Sequence, residues 1–281
     1  MYRHMFRFAP PGHFCSPLPS ADELARDAHR LFGPPPPSIP GIELNEAKQL
    51  TLLEQIARYY PELPFSIEKT PTLRYFYDNP AYSYSDAIFL YGMIRHAQPK
   101  RIIEVGSGHS SCVMLDTADL HLGGRVAFTF VDPYPATLLA LLWPGDLDRV
   151  TILESRVQDV GLAPFLALDR NDILFIDSSH VVKIGSDVNY LLGEILPRLR
   201  LGVYVHVHDI FYPFEYPEGW IIEGRVWGEA YALKAFLTFN DTFDIVLFNT
   251  YLERFHRDFF ERNMPLCLRN EGGSIWLQRV R

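Results

Sequence analysis

The chain has 281 residues, 48% hydrophobic and 21% charged, enough for a sizeable globular core. Acidic residues outnumber basic ones, 34 to 26, and no long basic run occurs, which argues against bulk nucleic-acid binding. Three widely spaced cysteines, Cys15, Cys112 and Cys267, argue against a disulfide framework or a CxxC metal site and point to a reducing compartment.

The N-terminal stretch MYRHMFRFAPPGH is basic and aromatic, but proline interrupts it before a signal-peptide core forms. No apolar run reaches the roughly 18 residues of a membrane span, so a soluble cytoplasmic protein is expected. Residues 1–40 are proline-rich, and Pro34–Pro37 favours an extended conformation. Helices are predicted over Ala21–Phe32, with Ser20 as N-cap, and over Asn45–Tyr60, ending at Pro61. An aromatic loop, RYFYDNPAYSYSDA, leads to a helix over Ala87–Ala97 that Ser85 or Asp86 would cap. These features suggest an extension over 1–85 before a domain over 86–281.

From Arg101 short apolar runs alternate with helical segments. Strands are predicted at 102–105, 126–131, 150–153, 173–176 and 203–207, with helices at 110–120, 135–142, 161–168 and 185–196 between them. This rhythm predicts an α/β fold, Rossmann-like and doubly wound, with a mostly parallel sheet. A helix at 228–237 and strands at 245–248 and 274–278 complete the chain, with a loop, HDIFYPFEYPEGW, before them.

Ligands in such sheets sit beyond the C-terminal strand ends. Polar residues follow five strands in turn: the glycine turn EVGSG, Asp132, then Gln158 and Asp159, then Asp177 and His180, then His208 and Asp209. A carboxylate after the second strand suits the two hydroxyls of a ribose. A dinucleotide fold wants a third glycine near 111, where Ser111 stands, and no GK[ST] is present for a triphosphate.

EVGSG, VDP, LFIDSSH and HVHDIFYP together resemble a class I S-adenosylmethionine-dependent methyltransferase, and more narrowly methyltransferase domain family 24. The resemblance runs from about Pro80 to the C-terminus and implies seven strands. It implies S-adenosylmethionine as cofactor, with Glu104, Gly106, Ser107, Gly108 and Ser110 at its methionine end. It also implies Asp132 on the ribose, Gln158 or Asp159 beside the adenine, and Asp177 at the same rim. Ser110 departs from the third glycine common in such turns, and its hydroxyl could bond the cofactor instead.

The expected reaction is methylation of a small molecule, on oxygen. His180 would act as base, with Asp177 and His208 as further catalytic candidates. Relatives hold a divalent ion after the fourth and fifth strands, which here implies Asp177, His208 and Asp209 as ligands for Mg, Mn, Fe or Zn. Tyr82, Tyr84, Trp220, Arg225 and Trp227 are candidate substrate residues, Arg225 for a carboxylate or phosphate. His206 reads as structural. Three other readings stay open: a nicotinamide-dependent oxidoreductase, a non-catalytic ligand-binding protein, and a metal-dependent oxygenase or hydroxylase on the same scaffold. No membrane or nucleic-acid partner is expected; a homo-oligomer is left open.

Overall fold

The computed structural model describes residues 8–281, so most of the basic N-terminal stretch lies outside it. Seven strands form one sheet: β1 (Arg101–Val105), β2 (Ala127–Val131), β3 (Val150–Leu153), β4 (Ile173–Ile176), β5 (Tyr204–His208), β6 (Phe243–Phe248) and β7 (Ser274–Arg279). Their order is β3-β2-β1-β4-β5-β7-β6. All pairings are parallel except those of β7, which runs antiparallel to both β5 and β6. Burial on both faces explains the unbroken apolar sequence of β4, ILFI, every residue of which is buried. The expected Rossmann-like, mostly parallel seven-stranded fold is what forms.

The helices are α1 (Ala21–Leu31), α2 (Glu46–Ala57), α3 (Tyr84–Ala97), α4 (His109–His121), α5 (Ala136–Leu141), α6 (Val157–Val160), α7 (Ala163–Leu166), α8 (Asp187–Tyr190), α9 (Glu218–Ile222), α10 (Glu229–Leu237), α11 (Asn249–Phe255) and α12 (Arg257–Asn263). Ser20 caps α1 as expected, in a reciprocal pair with Glu23. The cap of α3 differs: Ser83 takes that place, and Ser85 and Asp86 are buried inside the helix. The reason is that both have other partners. Ser85 bonds Glu253, and Asp86 accepts from the backbone N–H of Gly273 on the β7 side. The helix expected over 161–168 forms as the shorter α7, and an unexpected short helix, α6, precedes it and ends at Gly161 (φ 78°). The one expected over 185–196 begins as α8 and continues as a π-helical turn, Leu191–Ile195. Sequence reading missed α9, α11 and α12.

The expected boundary between residues 85 and 86 falls inside α3. Leu53 and Ile56 of α2 belong to the same buried cluster as the sheet. The aromatic loop before α3 is anchored by Arg74, 3% exposed, whose guanidinium donates to Asp116 of α4 at 2.7 Å and to Asp146 at 2.6 Å. Its backbone N–H also reaches Asp116, at 2.9 Å. A buried charge so fully paired ties the loop to the domain, because removing either partner would strand the other.

Candidate active site

The order of the strands reverses between β1 and β4, so the loops after these strands part and leave a crevice at their C-terminal ends. The turn after β1 needs glycine at 106. Its φ is 83°, and a β-carbon there would lie 1.7 Å from the carbonyl oxygen of Asp177. Gly108 is extended, at φ 173°, with only the Thr137 methyl within 4 Å of a β-carbon.

A cavity of about 570 Å³ opens over this turn, lined among others by Gly106, Ser107, Asp132, Tyr134, Gln158 and Asp177. The Asp132 carboxylate accepts from Ser107 N at 3.0 Å, Ser107 Oγ at 2.8 Å and Tyr134 N at 2.8 Å. Gln158 donates to Gly185 O at 2.8 Å, and its Oε1 is buried without a partner among the described residues. Arg156 and Lys183 add positive charge to the lining. Asp159 does not line this cavity; it pairs with Arg156 at 2.8 Å on the surface.

Glu104, Gly108 and Ser110 also lie outside the lining. Glu104 is fully buried and accepts from Ser110 Oγ at 2.5 Å and from Ser111 Oγ. The serines at the two positions where glycine was sought therefore serve Glu104, whose carboxyl would otherwise lack donors. Burial pushes that carboxyl up to about 8, against the opposing pull of the two hydroxyls.

Around the end of β4 and β5 a second set of side chains converges. His180 Nε2 lies 3.3 Å from Asp177 Oδ1 and 3.5 Å from Asp209 Oδ2, and its Nδ1 lies 2.8 Å from Glu229 Oε2. Both His180 (φ 58°) and Asp209 (φ 56°) adopt left-handed backbone conformations. Each costs of the order of 1–3 kcal/mol in a residue with a side chain, a strain that clusters at functional sites. The ring of Trp227 covers His180, centroids 4.4 Å apart. Burial works against an imidazolium at 180, but hydrogen bonds to Asp177 and Glu229 outweigh it and push His180 up to about 10.

One donor atom each from Asp177, His180 and Asp209 lies within 4.8 Å of the others. His208, expected in that set, is displaced from it: its Nε2 reaches Asp209 Oδ1 at 3.5 Å, and its ring lies 5.0 Å from that of Tyr82. The left-handed turn at 180 brings the other histidine onto the carboxylates instead. His206 is buried between Phe175 (3.9 Å) and Trp276 (4.7 Å), and burial holds it well below the usual imidazole range, so it is a neutral core ring.

A smaller cavity, about 270 Å³, lies on the β5 side and is lined by Asp86, His208, Asp209, Phe211, Trp220 and Glu271 among others. Asp177 lines the larger cavity and Asp209 this one, so His180 sits where the two approach. Of the expected substrate residues only Trp220 lines the smaller cavity. Tyr82 is buried behind His208, Tyr84 stacks on Tyr77 at 4.6 Å, and Trp227 covers His180. Arg225 pairs with Glu223 at 3.1 Å and stacks over Trp220 at 4.5 Å.

Residues 103–210 match the model of the methyltransferase domain family. An uncharacterised protein of Archaeoglobus fulgidus is 32% identical over 179 residues, covering 61% of this chain and 78% of that protein. The chain belongs to the methyltransferase domain family. The expectation of a class I, S-adenosylmethionine-dependent methyltransferase is met. Solved structures similar to this methyltransferase include the O-methyltransferase TomG from Streptomyces achromogenes, involved in tomaymycin synthesis and in complex with SAM. It shares 15% identity at a TM-score of 0.47, covering 85% of this chain and 92% of that one. The SAH-bound Podospora anserina methyltransferase PaMTH1 shares 14% identity at a TM-score of 0.46, covering 94% of this chain and 98% of that one. Among the described residues no helix is long and apolar enough to cross a membrane.

Glu104 generates a pH prediction. Its folded-state value of about 8 lies above the ordinary carboxyl range, so the unfolded chain releases its proton first as pH rises, and stability falls between about pH 5 and 8. Glu104→Gln keeps the shape and removes the titration. Urea denaturation should show wild type losing about 2–4 kcal/mol relative to Glu104→Gln across that interval. Parallel pH profiles for the two proteins would contradict the assignment.

Proposed function

We propose that the protein transfers a methyl group from S-adenosylmethionine to a hydroxyl of a small molecule, with a divalent ion held by Asp177, His180 and Asp209. The supporting observation is that these three donors converge between two cavities, the larger lined by Gly106 and Asp132 and the smaller by Phe211 and Trp220.

In this reading the cofactor lies in the larger cavity. Asp132 takes the ribose hydroxyls. Three donors already occupy its oxygens, so Ser107 Oγ, a rotatable hydroxyl, is the partner a ribose hydroxyl would displace. Gln158, tied by its amide to Gly185 O, lines the end of the cavity where the base would lie. Tyr134, which lines the cavity yet is 85% exposed, offers a flat face to the same ring. The bare backbone at Gly106 admits the methionine end.

The donor set fits a divalent ion. Two carboxylates and an imidazole suit Mg, Mn, Fe or Zn, and separations of 3.3 and 3.5 Å are close to the roughly 3 Å between neighbouring ligands of an octahedral ion with bonds near 2.1 Å. When bound, such an ion would lower the pKa of an acceptor hydroxyl. Glu229 fixes the proton on Nδ1 of His180, which leaves Nε2 as the lone-pair nitrogen toward the ion. His180 is thus assigned to holding the ion, in place of the base role expected from sequence. Asp209, at the mouth of the acceptor cavity, is the group placed to receive the hydroxyl proton.

Calorimetry with S-adenosylhomocysteine tests the cofactor half. Asp132→Ala should weaken binding by about 1–3 kcal/mol, the cost of unpaired hydrogen-bonding groups, and unchanged affinity would remove Asp132 from this role. For the ion, water-proton relaxation during Mn titration should show one site in wild type. Asp209→Asn should weaken it by about 10- to 100-fold or more, and Glu229→Gln by about 10-fold. Equal Mn affinity in all three proteins would overturn the ligand assignment.

A further inference from the structure

Resting on the reading of the smaller cavity as the acceptor's, we propose that residues 217–227 are a lid over His180 and that cavity, which lifts as one unit to admit the acceptor. The ends of the segment are pinned close together. The hydroxyl of Tyr216, 2% exposed, accepts from Ala230 N at 3.0 Å, and His180 O accepts from Gly228 N and Glu229 N at 3.0 and 3.1 Å. The residues between leave the body of the protein and return to nearly the same place, the form of an Ω-loop.

None of residues 217–228 is buried. The backbone hydrogen bonds of 217–227 close inside the segment, from Trp220 N to Pro217 O through to Val226 N to Gly224 O, and so does the ion pair of Arg225 with Glu223. Among the described residues no hydrogen bond ties 217–227 to the rest of the chain. Packing alone holds it down. Trp220 lies edge-on to Phe211 at 5.1 Å, Trp227 lies on His180 at 4.4 Å and near Tyr216 at 6.0 Å, and Ile221 packs against the core. A segment bonded to itself and anchored by so few apolar contacts opens locally without global unfolding.

The segment also has a small core of its own. Trp220 and Trp227 meet edge to face at 5.4 Å, and the Arg225 guanidinium lies over both rings, 4.5 and 5.7 Å from their centroids. This cluster joins the two tryptophans so that they move together. It gives the three residues expected to meet the substrate separate parts: Trp220 walls the cavity, Trp227 covers His180, and Arg225 couples them.

Closed, the lid leaves little room. The smaller cavity, about 270 Å³, falls below the roughly 300–1,000 Å³ of most small-molecule sites. A neighbouring cavity of about 490 Å³ meets it at the root of the lid: Pro217 lines both, Glu218 lines this neighbour and Trp220 the smaller one. Lifting 217–227 joins the two spaces and uncovers His180. His180 itself stays in place when Trp227 leaves, because Gly228 N and Glu229 N hold its carbonyl and Glu229 Oε2 lies 2.8 Å from its Nδ1.

Fluorine NMR of the full chain labelled with 5-fluorotryptophan tests this. Two of the four tryptophans lie on the lid, and Trp143 and Trp276 serve as fixed references. In the free protein Trp220 and Trp227 should each exchange between two environments, at one shared rate on the microsecond-to-millisecond scale of lids, while the references show one environment each. Trp227→Leu removes the ring from His180 and should raise the open population read at Trp220 by about 3- to 10-fold. A single environment at both lid tryptophans, two different rates, or an open population unchanged in the variant overturns the inference. S-adenosylhomocysteine should bind Trp227→Leu within about twofold of wild type, because no residue of 217–227 lines the larger cavity. If the variant alone loses that binding its fold is damaged, and the reciprocal Trp220→Leu, read at Trp227, decides. If neither protein binds it, the methyl-transfer reading fails, and the lid stands or falls on the spectra of the free protein.

Discussion

At residue 106 the chain has no room for a side chain, because the carbonyl oxygen of Asp177 occupies the place where a β-carbon would be. This contact between the turn after β1 and the end of β4 is the constraint from which the site follows. It lets the two central strands end side by side at the point where the sheet order reverses. It also sets Asp177 at the boundary between two cavities, with its carboxylate turned toward His180. A bulkier turn would push β1 and β4 apart and leave the crevice between them without its floor.

Charge is the second organising element. Asp86, Asp177, Asp209 and Glu229 gather near two histidines, His180 and His208, in a region largely removed from water. Buried carboxylates in such number need a counter-charge. His180 and His208 supply it: burial works against a charged ring at each, but the neighbouring acids outweigh it and hold both above the usual imidazole range. Glu229 meets one ring nitrogen of His180 and leaves the other facing Asp177 and Asp209. The strained backbones of His180 and Asp209 persist because β5, α10 and the ring of Trp227 fix the side chains from several directions.

Much of this was legible in the sequence, and the limits are physical. Strands buried on both faces read as apolar runs, so their positions were right to within about a residue or two. Gly106, Asp132, Asp177 and Asp209 announced themselves by standing just after strands, where an α/β sheet binds ligands. Ser110 looked like a departure from a glycine turn because its partner, Glu104, faces inward, and a sequence does not show which way a side chain points. Glu229 was missed because it meets His180 across 49 positions from a helix that reads as a core stripe. Asp86 was taken for a helix cap because a polar residue beside a helix start has that local explanation, whereas its actual partners lie just before β7 and on α11. Helices α11 and α12 lack side-chain caps, so the strongest start signal was missing.

The most direct test is a crystal structure with S-adenosylhomocysteine bound. The account predicts the ribose hydroxyls on Asp132, with Ser107 Oγ turned away, and the sulfur facing Asp177 across from the cavity that holds Asp86 and Asp209. A nucleoside bound elsewhere on the molecule, or one whose sulfur points away from that second cavity, would contradict it.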